Sequence, residues 1–129
     1  MIYVIDTHAL VWYLEGSPRL SAKALSIMKS SDAELIVPSI VLAEVAFLFT
    51  RNRIDIDLSS VLNHISLSEN CTIYPIDEVV VEKLPANLNI HDGLIVATAL
   101  VFRDVLNRDV KVVTKDREIS QSGLIKTVW

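Results

Sequence analysis

The chain has 129 residues, which fits one domain able to remove roughly two-thirds of its unfolded surface from water without disulfide bonds. Hydrophobic residues make up 51% of the sequence, charged residues 22%, and only three residues are glycine, a composition that excludes a disordered chain. The net charge of −4 argues at first against a nucleic-acid partner, because phosphate contacts usually draw on excess Lys and Arg.

Short runs of β-branched and apolar residues alternate with helical patterns along the chain. Apolar residues repeat at helical spacing after the possible caps Ser21 and Asp57. Runs without polar alternation predict strands covered on both faces, at Ile2–Ile5, Leu35–Val37, Thr72–Ile76, Val110–Val113 and, more weakly, Ile125–Val128. This order predicts an α/β fold: a three-layer α/β/α sandwich with a central parallel sheet of four to five strands, as one domain over residues 1–129.

Cysteine usage and the lengths of apolar runs indicate the compartment. Cys71 is the only cysteine, so no internal disulfide can form, and its position in a predicted core strand argues against a reactive thiol. The opening MIYVIDTH lacks the basic stretch of a signal peptide, and the apolar runs at 40–49 and 94–102 are shorter than the ~20 residues of a membrane span. We therefore expect a cytoplasmic protein with no membrane partner.

Three acids lie at or near the ends of predicted strands, where open α/β sheets collect ligands. Asp6 directly follows the first strand, Asp116 lies two residues after Thr114 at the end of the fourth, and Asp92 opens the helix GLIVATALVF. Each also has an ordinary interpretation, since Asp is common in turns and at helix starts. Their common placement makes them candidate functional residues.

Glu44 is the only charged residue in the segment SIVLAEVAFLFT, which predicts a buried helix that is apolar all round. A lone buried carboxylate costs several kcal/mol unless it is paired, neutralised or bound to a metal. Positions 40, 41, 47 and 48, at helical spacing from Glu44, carry no Lys or Arg. The alternatives are a Glu on an exposed line of the helix, a buried pair with a distant Arg, and a metal ligand.

If the four acids Asp6, Glu44, Asp92 and Asp116 converge, their mutual repulsion requires a cation. Carboxylates suit Mg²⁺ or Mn²⁺, whereas zinc would recruit Cys or His, and the three histidines (His8, His64 and His91) fit no zinc spacing. Four acids committed to a cation would also bring the remaining net charge to zero, which weakens the objection to nucleic acid.

The segments VIDTHALVWYLEG, VPSIVLAEVAFLF, HDGLIVATAL and VVTKDREI, followed by IKTVW, resemble the successive motifs of PIN-domain proteins, above all toxins of the VapC kind. The resemblance covers essentially the whole chain in order. It implies Asp6, Glu44 and Asp92 as the first-rank acids and Asp116 as a fourth, more variable one. Thr114 matches a position where the family often has a hydroxyl that supports the metal site. Thr7 fits either a similar role or a cap.

The family further implies a three-layer α/β/α fold, endoribonuclease activity dependent on Mg²⁺ or Mn²⁺, frequent homodimers and a small antitoxin that blocks the site. Many related toxins cut structured RNAs such as transfer RNA. One departure is Gly93, since relatives often carry Arg or another larger residue after this Asp. For dimerisation, Val11, Trp12 and Leu48 could form a subunit face, but helices that cover a sheet need such residues for the core, which is the preferred interpretation.

The leading hypothesis is therefore hydrolysis of RNA by a metal-activated water. Lys115 and Arg117 flank Asp116 and would meet the RNA backbone, with Arg51 and Arg53 in a more distant version of that role. One rival is a non-catalytic PIN-fold module acting through protein contacts, although such a module has little reason to keep mutually repelling acids. A receiver-type signalling domain is the other rival, but that fold places a second acid directly after its first.

Overall fold

The structure is a computed structural model that describes all residues, 1–129. Five strands and seven helices alternate along the chain. The strands are β1 (Ile2–Ile5), β2 (Glu34–Pro38), β3 (Cys71–Tyr74), β4 (Val110–Val113) and β5 (Thr127–Val128). The helices are α1 (Thr7–Glu15), α2 (Ala22–Lys29), α3 (Ser39–Thr50), α4 (Leu58–Leu67), α5 (Glu78–Glu82), α6 (Ile90–Leu100) and α7 (Arg117–Gln121), and a π-helical turn (Val101–Val105) continues α6.

All five strands form one parallel sheet in the order β3-β2-β1-β4-β5, flanked by helices, which confirms the predicted α/β fold. The β-branched runs lie in the middle of this sheet, where both faces are covered. Ile2, Val4 and Ile5 of β1 have no exposed surface, and neither do Val112 and Val113 of β4. The caps predicted at Ser21 and Asp57 are confirmed, since each side chain accepts a hydrogen bond from the first turn of its helix.

The strand order creates a crevice between β1 and β4. The chain runs from β1 outward through β2 to β3, then returns past β1 to β4 and on to β5. Neighbouring strands whose connections leave in opposite directions form a topological switch point, where α/β sheets bind ligands beyond the carboxyl ends of the strands. Ile5 pairs with Val113, so Asp6 and Thr114 come next to one another at this edge.

Helix α6 packs across the middle strands of the sheet. Every residue from Gly93 to Leu100 is buried, and the helix packs against β1, β2, β4 and α3. No helix of the protein combines the length and the apolar character needed to cross a membrane.

The third strand differs from its prediction. It runs from Cys71 to Tyr74 at the edge of the sheet, with Thr72 and Ile73 exposed, whereas a strand covered on both faces was predicted at Thr72–Ile76. A short apolar run does not reveal whether its strand is central or at an edge, so the prediction of burial was wrong. Burial is still enough at Cys71, which is half-buried, to raise the pKa of its thiol and so disfavour the reactive thiolate.

Helix α3 is also less buried than predicted. Val41 and Val45 face the interior, but Phe47 is 54% exposed and Phe49 40% exposed. The prediction of a helix buried all round was wrong because an apolar pattern cannot tell burial within the chain from an apolar face left uncovered. Of the residues considered for a subunit face, Val11 is fully buried in the core, while Trp12 and Leu48 are half-buried against it or at its margin.

Candidate functional site

A cleft of about 550 Å³ opens beyond the carboxyl edge of the sheet, at the switch point between β1 and β4. We call it the acidic cleft. Its lining contains all four acids selected from the sequence, together with Thr7, Lys115 and four further side chains: Asp6, Thr7, His8, Trp12, Glu44, Asn89, His91, Asp92, Lys115 and Asp116.

Asp6 is fixed by hydrogen bonds on both carboxylate oxygens. Its Oδ1 accepts from the backbone N–H of Thr7 at 2.6 Å, and its Oδ2 accepts from the hydroxyl of Thr114 at 2.5 Å. Thr114 Oγ1 in turn accepts from the backbone N–H of Asp116 at 3.0 Å, so this hydroxyl links the ends of β1 and β4. Asp6 is also the N-cap of α1, which means that the turn role and the cleft position coexist.

Glu44 lies in the second turn of α3, is half-buried and lines the cleft next to the start of α1. The hydroxyl of Thr7 donates to Glu44 Oε1 at 3.0 Å. No base pairs with Glu44, because the ion pairs of the structure are Lys83–Asp104, Arg103–Asp104 and Arg108–Glu34. The alternative of a buried partner Arg is therefore wrong, and Thr7 is a support for Glu44 rather than the cap of its helix.

Asp92 lies in the first turn of α6 and is held by Asn89, the N-cap of that helix. The backbone N–H of Asp92 donates to Asn89 Oδ1 at 2.9 Å, and Asn89 Nδ2 donates to Asp92 Oδ2 at 2.7 Å. Asn89 thus caps the helix, and its side-chain amide also holds the carboxylate of Asp92, the third helical residue. Asp92 itself is therefore not the cap, and the ordinary interpretation of this acid does not apply.

Replacing Asn89 with Ala should lower the free energy of unfolding by about 1 kcal/mol, because the first turn of α6 loses its cap. Asn89→Ser is the matched control, since its hydroxyl keeps a cap acceptor without adding a charge beside Asp92. Urea unfolding would measure both changes. If the Ala variant unfolds at the same urea concentration as the parent protein, Asn89 does not hold the helix start.

The segment after β4 brings one predicted cation to the cleft but not the other. Asp116 caps α7, its Oδ1 accepting from the backbone N–H of Glu118 at 2.7 Å and of Ile119 at 3.4 Å. Lys115 lines the cleft, with its Nζ 5.8 Å from the ring centre of Trp12. Arg117 is exposed and does not line the cleft, so the two cations predicted to act together are separated.

Burial and mutual repulsion disfavour the ionised forms of the acids. Burial raises the pKa of Asp6, against the lowering effect of its bonds to Thr114 and Thr7, and burial likewise raises the pKa of Glu44. The pKa of Asp92 is raised to about 6, first by burial and then by the charges of Asp116 and Asp6. Four acids and one Lys give the lining a formal charge of −3, which favours a cation as its ligand.

The donors of the cleft suit a hard divalent cation, but they are not a closed cage. The charged donors are carboxylates and no cysteine lines the cleft, and oxygen donors suit Mg²⁺ or Mn²⁺. No three His, Cys, Asp or Glu side chains lie close enough together to hold an ion directly. Mg²⁺ usually keeps several waters and binds through one or two carboxylates plus substrate phosphates, so spaced acids around an open cleft fit such an ion.

Four residues of the cleft lining were not predicted as site residues from the sequence: His8, Trp12, Asn89 and His91. Asn89 and Trp12 are the most informative of them. The signal for Asn89 was its residue type and position, because Asn is a favoured N-cap and lies directly before the helix that contains Asp92. For Trp12 it was helical periodicity, because His8 and Trp12 are four residues apart on the helix that begins after Asp6. His91 and His8 are exposed, as the sequence indicated, but they lie in the cleft.

Gly93, which follows Asp92, is buried. A Cβ atom at this position would lie 3.0 Å from Leu84 Cδ1 and 3.9 Å from Pro85 Cδ. Leu84 therefore occupies the space that a longer residue at position 93 would enter.

In an all-parallel α/β sheet ligands bind beyond the carboxyl ends of the strands at the switch point, and the carboxylate-rich cleft of this chain lies at that place. The model of the PIN domain family matches residues 3–123. The chain therefore belongs to the PIN domain family. No curated protein sequence matches it significantly.

Solved structures with the same fold include three toxin–antitoxin complexes. VapBC2 from Rickettsia felis bound to a promoter DNA fragment has a TM-score of 0.69 and 14% identity, covering 100% of this chain and 99% of that one. A toxin–antitoxin complex from Klebsiella pneumoniae has a TM-score of 0.68 and 17% identity, covering 98% and 96%. VapBC-1 from nontypeable Haemophilus influenzae has a TM-score of 0.63 and 18% identity, covering 99% and 97%. At these identities the likeness concerns the fold.

Proposed function

We propose that this protein is a divalent-metal-dependent endoribonuclease, one PIN-like nuclease domain over residues 1–129. Asp6, Glu44, Asp92 and Asp116 would act as the catalytic acids and hold Mg²⁺ or Mn²⁺. The observation that carries the proposal is their convergence on one cleft at the switch point of a PIN-family sheet. Thr114 and Thr7 support Asp6 and Glu44 through their hydroxyls.

In the proposed reaction a water molecule adds to the phosphorus of an RNA phosphodiester, one P–O bond breaks, and the leaving oxygen takes a proton. A divalent cation supplies charge for the phosphate and lowers the pKa of water. The residues of this chain orient the reactants: Asp6 and Glu44 are held by threonine hydroxyls, Asp92 is held by Asn89, and Lys115 contributes a positive charge to the lining of the same cleft.

The biological role that fits this activity is that of a toxin of the VapC kind, in the cytoplasm. The three structural neighbours are toxin–antitoxin complexes, which favours a cognate antitoxin as partner here as well. We also propose a homodimer, for which the uncovered apolar face of α3 is available, and a structured RNA such as transfer RNA as substrate. A short neighbouring reading frame that encodes a DNA-binding domain and a tail would support the toxin role.

Incubation of the purified protein with total RNA and Mn²⁺, with and without a chelator, tests the nuclease proposal. The RNA should be cut with the metal and survive with the chelator, and an Asp6→Asn variant should leave it intact. Survival of the RNA in the presence of Mn²⁺, or cutting by the variant as fast as by the parent, would contradict the assignment.

A non-catalytic binding module is the second candidate, favoured by one observation: the acids are not preassembled as a direct ligand cage. Against it stands the energetic cost of the cleft. A module without chemistry gains nothing from carboxylates whose pKa values are raised by burial, and the same RNA experiment separates the two candidates.

A further inference from the structure

A second cleft, of about 360 Å³, lies on the other side of the wall formed by His8 and Trp12. We call it the basic cleft, since Arg19 and Arg53 line it, with Glu15 and Leu48 at its sides. His8 and Trp12 line both clefts, and they lie one helical turn apart on α1. The acidic and basic clefts are therefore one continuous surface that passes over this turn of the helix.

The charge changes sign along this surface. Arg19 and Arg53 are exposed and take part in none of the ion pairs of the structure. Glu15, the acid of this cleft, accepts a hydrogen bond from the backbone N–H of Asp55 at 2.8 Å. The basic cleft thus has a formal charge of +1, against −3 in the acidic cleft.

The local backbone holds both arginines beside α1. The helix ends at Gly16, whose φ of 65° lies in the left-handed region that glycine adopts without strain, and the chain turns back there towards Arg19. The bond between Glu15 and the N–H of Asp55 ties the segment that contains Arg53 to the end of the same helix. The backbone segments that contain the two arginines are consequently held next to α1 by the fold.

Trp12 presents a ring bracketed by cations. Arg19 Cζ lies 6.0 Å and Lys115 Nζ 5.8 Å from the ring centre, one from each cleft. Trp129 packs edge-on against Trp12 at 5.8 Å, and the ring of His8 lies 5.4 Å away, so both neighbours hold the ring in place. Proteins that bind single strands combine aromatic rings, on which bases stack, with a positively charged groove that follows the phosphates.

We propose that the basic cleft binds the RNA strand on one side of the phosphate to be cut, with a base stacked on Trp12 and the following phosphates held by Arg19 and Arg53. This inference rests on the proposed nuclease function. RNA is favoured over a peptide because the strand that reaches the acidic cleft has to continue beyond it, and the adjoining surface carries both the ring and the charge that a nucleotide requires.

Binding of a fluorescent single-stranded RNA to the protein tests the proposal, measured by anisotropy in an Asp6→Asn background so that the RNA stays whole. The Arg19→Gln, Arg53→Gln double variant should bind about tenfold more weakly at low salt. Because two phosphate contacts are lost, the negative slope of log affinity against log salt should become shallower by about 1.4. Trp12→Leu should also bind about tenfold more weakly, and Trp12→Phe should recover much of the loss.

The matched control is a Lys23→Gln, Lys126→Gln double variant, which removes the same charge from exposed, unpaired residues that line neither cleft and should bind as the parent does. The exposed arginines keep the test valid if Trp12→Leu unfolds. If the parent cuts RNA but the arginine variant binds RNA as tightly as the control does, the basic cleft does not bind the RNA strand. A protein partner would then be the remaining occupant of that cleft. A parent that cuts no RNA would overturn the proposed function instead.

Discussion

Replacing Glu44 with Gln should reduce RNA cleavage by about a hundredfold or more. The substitution keeps the length of the side chain and an oxygen that can still accept the hydroxyl of Thr7, so the geometry of the cleft is preserved. It removes one of four carboxylate charges, and losses of this size are typical when one charged or hydrogen-bonding group that acts on the transition state is removed. Initial rates with an RNA oligonucleotide and Mn²⁺ would measure the effect.

Glu82→Gln is the matched control, because Glu82 is an exposed acid at the end of α5 outside the cleft lining, and its rate should equal that of the parent. Thr7→Val gives an intermediate case: the carboxylate stays, but it loses the bond that favours its charged form, so the rate should fall most at low pH. A Glu44→Gln variant that cuts RNA within a few-fold of the parent would remove Glu44 from the chemistry.

The fold could be predicted from the sequence to the extent that apolar patterns report burial. Central strands such as β1 and β4 consist mainly of apolar β-branched residues because both of their faces are covered, and these strands were placed correctly. The same kind of pattern wrongly predicted that β3 lies in the core and that α3 is buried on all sides. Residue types report which surfaces avoid water, but not whether this chain or another one covers them.

The acids could be selected from the sequence, whereas their supports could not be fully assigned. An Asp after a strand and a lone Glu in an apolar helix stand out against their surroundings. The bond between Thr114 and Asp6 joins residues 108 positions apart, and it depends on β4 lying beside β1. Strand order is set by the connections and the packing of helices, which local patterns do not contain, so this neighbour was available only through the family resemblance.

Replacing Asp92 with Asn should stabilise the metal-free protein more at pH 7.5 than at pH 4. The free energy of unfolding of the variant minus that of the parent should be roughly 1–2 kcal/mol larger at the higher pH. The pKa of Asp92 is raised to about 6 in the fold, mainly by burial, against 3.8 for a solvent-exposed Asp in the unfolded chain. A raised carboxylate pKa favours folding below pH 3.8, and this contribution is lost as the pH rises through 6. The full shift would correspond to about 3 kcal/mol, which partial exposure of the side chain reduces by screening. Asn cannot ionise, so the variant avoids the loss.

Chemical denaturation at several pH values with a chelator would measure this difference, and a divalent cation should reverse it. Mg²⁺ or Mn²⁺ binds the ionised acids, so it should raise the unfolding temperature of the parent at pH 7.5 more than at pH 5, and more than that of the variant. Asn89→Asp provides the opposite control, because a second carboxylate next to Asp92 should deepen the loss of stability above pH 6. A stability difference between parent and Asp92→Asn that stays constant from pH 4 to pH 7.5 would mean that Asp92 ionises freely. The cleft would then hold its acids without strain and would have no electrostatic need for a cation.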